Sequence, residues 1–314
     1  MKLTALAGGV GASKLLYGLS KSMPASDLSI IVNTGDDIQM HDLYISPDID
    51  TVTYTLAGWA NPVTGWGVVG DTFETLEKMR QEGRETWFQL GDYDLNTHRW
   101  RTAFLKMELT LTQASLLLRT AYGVEAQILP MCDEPVPTMI ETDRGLLHFQ
   151  EYLVRERAEP VVRGIRFAGI EEARPTEKVL QAIAEADAIV VCPSNPLISI
   201  GPILAVPGMR DALRGRRERV LAVSPIVGGK SLKGPSDRMM AQLGYEVSAT
   251  AVARLYADFV STFVIDTEDA AQASEIERLG MRVRVGQTVM RNDADKISLA
   301  RQVLQWAGEL AGAA

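Results

Sequence analysis

A chain of 314 residues, 46% hydrophobic and 23% charged, has the make-up of an ordinary globular protein and excludes intrinsic disorder. Its formal charge of −8 argues against nucleic acid or an anionic membrane as the main partner, because both need an excess of Lys and Arg on one face. No apolar run approaches the ~18 residues of a transmembrane helix, and the opening MKLTALAGG is too short in apolar residues for a signal-peptide core, so the expected location is cytoplasmic.

The first stretch, LTALAGGVGASK from Leu3 to Lys14, is an apolar run ending in a glycine turn that carries a hydroxyl and an amine. Backbone N–H groups freed by the glycines, and the helix expected after them, make a phosphate cradle. Neither familiar fingerprint is complete: Lys14 stands where G-x-G-x-x-G needs its third glycine, and no glycine immediately precedes Lys14 as a Walker A loop requires. Leu15, Leu16, Leu19 and Met23 recur at helical spacing up to Pro24, and LSIIVN (Leu28 to Asn33) reads as a buried strand. Strand, glycine turn, helix and strand are the opening unit of a doubly wound sheet.

After the second strand come Asp36, Asp37, Asp48 and Asp50, read here as residues of turns. Four carboxylates within fifteen residues exceed what a ribose needs, and hard oxygen ligands suit Mg²⁺. The alternative is that they are solvated turn acids and helix N-caps. From residue 51 to 123 the texture becomes helical periodicity and loops, an expected helical insertion set into a core made of residues 1–50 and 124–314. Four of the five tryptophans (Trp59, Trp66, Trp87 and Trp100) fall there, and packing of that subdomain's own small core is favoured over a plate for a flat ring. GWGVVGDT and LGDYDLNTH read as glycine-bearing loops of the kind that carry ligand contacts.

The sheet resumes with AQILPM, and CDEPVPTMIET with GLLHFQEYLV suggest a strand pair at one of its edges. A helix from Thr176 to about Ala186 feeds the strand ADAIVVC, which ends in PSNPLISIGPI, and a later strand, RVLAVS, ends in PIVGGKSLKG. RGRRER (Arg214 to Arg219) reads as a solvated helix end. The last helix carries a stripe of Ile297, Ala300, Leu304, Ala307 and Leu310, suited to core packing or a dimer contact. Cys132 and Cys192 lack metal-ligand spacing and are expected as buried free thiols, and the three histidines show no mutual spacing for zinc.

The polar, glycine-bearing sequences GGVGASK, NTGDD, PSNPLISIGP and SPIVGGK therefore follow four separate strands. Open parallel sheets bind ligands at the carboxyl ends of their strands, so one crevice lined by all four is expected. Together with ISPDIDTVTYTLAG, the GDTF loop, LPMCDEPVPT and HFQEY, these segments run in order through most of the chain, which closely resembles the 2-phospho-L-lactate transferases of coenzyme F(420) biosynthesis.

That resemblance implies a Rossmann-like α/β homodimer that moves a phospholactyl or phosphoenolpyruvyl group from a GDP-linked donor to the deazaflavin Fo and releases GMP, with Mg²⁺ required. It places Asp36 and Asp48 as metal ligands and Asp37 and Asp50 as catalytic carboxylates, Asp37 being also an alternate ligand. The nucleotide and its phosphates are expected on Gly8, Gly9, Gly11, Ser13, Lys14 and Asn33, on Ser194, Asn195, Pro196 and Ser199, and on Ser224, Ile226 and Gly228. Fo is expected against Asp50, Thr51, Trp66, Gln89, Thr97, His98, Met131, Asp133 and His148. Archaeal members often carry a basic residue at a second acceptor-contacting position, where this chain has Gln89. The nearest alternative, a nucleotide-sugar-binding regulator resembling the gluconeogenesis-factor family, shares the glycine-rich opening but not the PDIDT turn or the tryptophan-rich insertion. An NAD-linked oxidoreductase fits less well, because the third fingerprint glycine is missing.

Overall fold

A computed structural model describes residues 1–312. In chain order the elements are β1 (Leu3–Ala7), α1 (Gly9–Ser20), β2 (Leu28–Val32), β3 (Ile38–Met40), β4 (Leu43–Ile45), α2 (Pro47–Ala57), α3 (Glu74–Gln81), α4 (Asp92–Lys106) and α5 (Leu111–Ala121). There follow β5 (Gln127–Pro130), β6 (Thr138–Thr142), β7 (Gly145–His148), a π-helical turn (Glu151–Arg155), β8 (Val162–Phe167), α6 (Glu177–Glu185), β9 (Ala188–Val191), α7 (Ile200–Ala205) and α8 (Met209–Arg214). The chain ends with β10 (Val220–Val223), β11 (Ile226–Val227), β12 (Lys230–Ser231), α9 (Ser236–Gln242), α10 (Ala249–Tyr256), β13 (Thr262–Asp266), α11 (Ala273–Glu277), β14 (Arg282–Gly286) and α12 (Asp293–Gly312).

Seven strands form one sheet in the order β14-β13-β10-β9-β1-β2-β5, and every pairing in it is parallel. Parallel strands are covered on both faces, which is why β9 and β10 read as unbroken apolar runs and β1 is broken only by Thr4. Alternate residues face opposite layers: Leu6, Ile31 and Val191 pack under α6, α7, α8 and α10, while Ala5, Ile30 and Val190 pack under α1, α2 and α12. The fold is thus the expected Rossmann-like α/β sheet with helices on both faces.

Of the expected stripe on α12, Ala300, Ala307 and Leu310 are core and Leu304 packs against it, whereas Ile297 is half-buried and Leu299 and Val303 are core in addition. The helix lies against α1 so closely that a Cβ at Gly18 would strike the Lys296 carbonyl. Arg214 and Arg217 in the basic run are engaged, Arg214 with Asp211 and Asp258 and Arg217 with the Gly280 carbonyl. Both cysteines are buried and free, and burial pushes the Cys132 thiol up to about 12.

Four local expectations are corrected. The second acidic segment is not a turn: Pro47 opens α2, so Asp48 and Asp50 occupy its first helical turn, where Pro pre-sets the backbone and carboxylates meet the positive helix end. Ile49 and Val52 of α2 pack into the core beside α1. LGDYDLNTH is largely helix as well, since α4 begins at Asp92. β6 and β7 do not border the main sheet but form a separate antiparallel sheet with β8. Of the tryptophans, Trp87, with Phe88, packs against a small core that Leu90 and Leu95 form with Met40 of β3 and Ile45 of β4, whereas Trp59, Trp66 and Trp100 are exposed.

Candidate active site

β1 and β9 are neighbours in the sheet, and the chain departs in opposite directions from them, toward β2 and toward β10. A topological switch point of this kind opens a crevice at the carboxyl ends of the strands. The crevice has a volume of about 460 Å³ and is lined from all four strand ends: Gly8 to Gly11 after β1, Asp36 after β2, Pro193 to Asn195 after β9, and Ser224 and Pro225 after β10. Loop 58–73, α2, α4 and the segments 149–154 and 232–236 also line it, with Thr288 and Met290.

The glycine turn is held from two sides. Gly9 adopts a φ of +70°, and its N–H donates to Asp48 Oδ1 at 2.8 Å. The Gly8 N–H donates to Ser194 Oγ at 3.3 Å, and a Cβ at Gly11 would collide with the Pro193 carbonyl. Asn33, fully buried at the end of β2, donates from Nδ2 to Asp36 Oδ1 and Asp48 Oδ2, both at 2.9 Å, and its own carbonyl oxygen accepts from the Gly35 N–H.

Two buried carboxylates thus share one amide. Burial pushes the Asp48 carboxyl up to about 6 against the pull of Asn33 and Gly9. Asp36 is raised well above the usual carboxylate range by burial and by the nearby Asp48 charge. Among the described residues neither has a Lys or Arg partner within ion-pair distance. A pair of hard oxygen donors, desolvated and mutually repelling, fits a divalent cation such as Mg²⁺.

A second buried cluster faces the same crevice from α2 and α4. Arg101 grips Asp50 with both terminal nitrogens, one to each carboxylate oxygen. His98 lies between two acids, Nδ1 3.5 Å from Asp50 and Nε2 3.3 Å from Asp94, while Tyr54 donates its hydroxyl to Asp94 at 2.7 Å. Burial raises the Asp50 carboxyl, opposed by Arg101 and His98. At Asp94 burial also works upward, but His98, Tyr54 and Arg101 together hold the group below its ordinary value.

Of the residues expected in the site, Gly8, Gly9, Gly11, Lys14, Asp36, Asp48, Asp50, Thr51, Trp66, Gln89, His98, Ser194, Asn195, Ser199 and Ser224 line the crevice. Lys14 donates to the Met290 carbonyl at 2.9 Å, and burial, with Lys233 and Lys296 nearby, lowers its pKa. The others are not among the lining residues. Ser13 donates back to the Gly9 carbonyl, Asn33 bridges the two acids, and Asp37 accepts from Ser46 Oγ at 2.7 Å. Pro196 is buried, the Ile226 carbonyl accepts from Ser224 Oγ, and the Gly228 N–H donates to Asp269. Thr97 bonds the Tyr54 and Tyr122 hydroxyls, Met131 is core, and Asp133 accepts from the Thr112 N–H. His148 places Nε2 3.1 Å from the Asp37 carbonyl and accepts the Gln150 N–H at Nδ1. Arg101, Asp94 and Tyr54 were missed by sequence reasoning; the signal available was the spacing of 94, 98 and 101, one face of a helix hidden by reading that stretch as a loop.

The family described as 2-phospho-L-lactate transferase CofD matches residues 3–305. The chain is 41% identical over 298 residues to the 2-phospho-L-lactate transferase of Methanosarcina mazei, covering 95% of this chain and 98% of that protein. It is 40% identical over 316 residues to the phosphoenolpyruvate transferase of Streptomyces griseus, covering 99% of each. A crystal structure of a UPF0052 family member from Bacillus halodurans shares the fold, with a TM-score of 0.65 at 17% identity over 96% of this chain and 98% of that one. The chain belongs to the 2-phospho-L-lactate transferase CofD family.

Proposed function

We propose that the protein transfers a phospholactyl or phosphoenolpyruvyl group from a GDP-linked donor, lactyl- or enolpyruvyl-2-diphospho-5′-guanosine, to the terminal hydroxyl of the deazaflavin Fo in coenzyme F(420) biosynthesis. The hydroxyl oxygen bonds to the phosphorus that carries the three-carbon acid and gives up its proton to water, the bond from that phosphorus to the bridging oxygen breaks, and GMP leaves with that oxygen. The observation that carries this reading is the Gly9–Asp48–Asn33–Asp36 assembly at the crevice floor, with Asp50 half a helical turn beyond Asp48 on the acceptor side.

Asp36 and Asp48 would hold Mg²⁺. When bound, the ion supplies charge neutralisation on the donor's diphosphate. The glycine turn contributes backbone N–H groups to the same phosphates, and Lys14 adds positive charge at the wall. Ser194, Asn195 and Ser224 supply the polar edges for the guanosine. Ile45, Phe88, Phe149, Leu153 and Val154 give an apolar wall for a flat deazaflavin, and Trp66 stands at its edge. Asp50, with both oxygens engaged by Arg101, orients the acceptor hydroxyl. Phosphoryl transfer suits such a site because positioning and charge stabilisation carry most of the rate.

The test follows GMP release from donor, Fo and Mg²⁺, with melting curves alongside. GMP formed only when Fo and Mg²⁺ are both present, and stabilisation by GDP or Fo, supports the reading. Stabilisation by UDP-sugars or NAD alone, without GMP release, contradicts it.

A further inference from the structure

The inward face of α4 carries Asp94, Thr97, His98 and Arg101, all buried, and it meets Asp50 and Tyr54, four residues apart on α2. Ligand atoms of Asp50, Asp94 and His98 lie within 4.8 Å of one another, a spacing that suits a metal ion. The guanidinium of Arg101 already stands in that role. Its Nη1 and Nη2 each donate to one oxygen of Asp50, and Nη1 also lies 3.3 Å from His98 Nδ1 and 3.5 Å from the Tyr44 carbonyl.

We propose that Arg101 is a positioning residue for the acceptor: it fixes the plane and position of the Asp50 carboxylate against the Fo hydroxyl while contributing nothing to donor binding. This rests on the function proposed above. Asp50 and His98 line the crevice and Arg101 does not, so Arg101 acts on the acceptor only through side chains it touches, Asp50 by two hydrogen bonds and His98 by one nitrogen. A bidentate fork sets two distances and a plane at once, whereas a lysine ammonium is a point charge that sets one. The donor side has separate supports: Asp36 and Asp48 are held by Asn33 and Gly9, and neither touches Arg101. Loosening the fork therefore acts on one substrate and spares the other.

The experiment uses the full chain with R101K, checked for folding by circular dichroism and melting, and initial rates with Fo and donor varied in turn. The expected result is a kcat/KM for Fo lowered roughly 10- to 100-fold, with donor KM and GDP affinity by calorimetry within about twofold of the parent. Should R101K fail to fold, D50N is compared with D50N/R101M, which removes the unpaired charge; Fo affinity, read from its own fluorescence, is expected to be equal in the two. A folded R101K with unchanged Fo kinetics, parallel losses for Fo and donor, or a further loss of Fo affinity in the double variant would each overturn the assignment. Absence of GMP release by the parent protein would instead overturn the function itself, and this proposal with it.

Discussion

The Gly9 N–H donates to Asp48 Oδ1 at 2.8 Å, joining the glycine turn after β1 to the first turn of α2 across 39 residues of chain. The anion cradle and the acidic segment are therefore one unit, and a change in either is felt by the other. Asn33 completes it by bonding the remaining oxygen of Asp48 and one of Asp36.

Asp48→Asn keeps an oxygen to accept from Gly9 but turns its NH2 toward the Asn33 amide and removes the negative charge. The lost hydrogen bond is offset by relief of the repulsion with Asp36, so the variant is expected to melt near the parent temperature and to lose roughly 100-fold or more in kcat, the scale on which removal of a charge-stabilising group acts. Calorimetry with Mg²⁺ in the presence of GDP should show the matching loss of affinity. Near-normal turnover would remove Asp48 from the metal site.

The acidic pair also predicts a pH signature. The folded Asp48 titrates near 6, above its ordinary value of 3.8, so between those values the metal-free native state holds a proton that the unfolded chain has released. Stability is then greatest at low pH with respect to this group and falls as pH rises through 6, by roughly 3 kcal/mol, with Asp36 acting in the same direction. Protons and metal compete for the same oxygens. The rise in melting temperature on adding Mg²⁺ is therefore expected to be larger at pH 7.5 than at pH 5, and an equal rise at both would contradict the assignment.

Gly11→Ala places a Cβ against the Pro193 carbonyl, where β1 and β9 deliver their loops to the crevice. Overpacking of this kind destabilises by about 1–3 kcal/mol. The shift should also move the backbone donors of the glycine turn, so GDP affinity is expected to drop while Fo affinity is kept. Chemical denaturation together with calorimetry reads both effects.

Arg101→Met leaves Asp50 buried without its main counter-charge, and such a break costs about 3–5 kcal/mol. Combining it with Asp50→Asn should recover much of that loss, because no uncompensated charge remains. Urea denaturation of the two single variants and the double gives the coupling energy; additive effects would mean that the ion pair does not stabilise the fold.

The sheet was legible because its strands are buried on both faces and read as largely apolar runs, four of them followed by a glycine-bearing segment. The crevice was legible for the same reason, since four such turns must meet at one edge of a parallel sheet. What escaped was helical: PDIDT and LGDYDLNTH are rich in residues that favour turns, yet those residues also start helices, Pro47 at N1 of α2 and Gly91 as the N-cap of α4. Once α4 is read as a helix, the spacing of 94, 98 and 101 separates Arg101 from its neighbour Arg99, but the burial of Arg101 depends on Asp50 lying opposite on another helix. Trp59 and Trp100 were read as core from their type alone, whereas Trp59 meets Tyr122 edge-on and Trp100 stacks on Phe104 at the exposed surface of the insertion. The period-two pattern of β6 and β7 identified strands without telling which sheet they join.

The most direct test of the transferase reading is mass spectrometry of the products formed from Fo, Mg²⁺ and each GDP-linked donor in turn. The account predicts GMP together with Fo enlarged by one phospholactyl or phosphoenolpyruvyl group. Unmodified Fo with intact donor would contradict it.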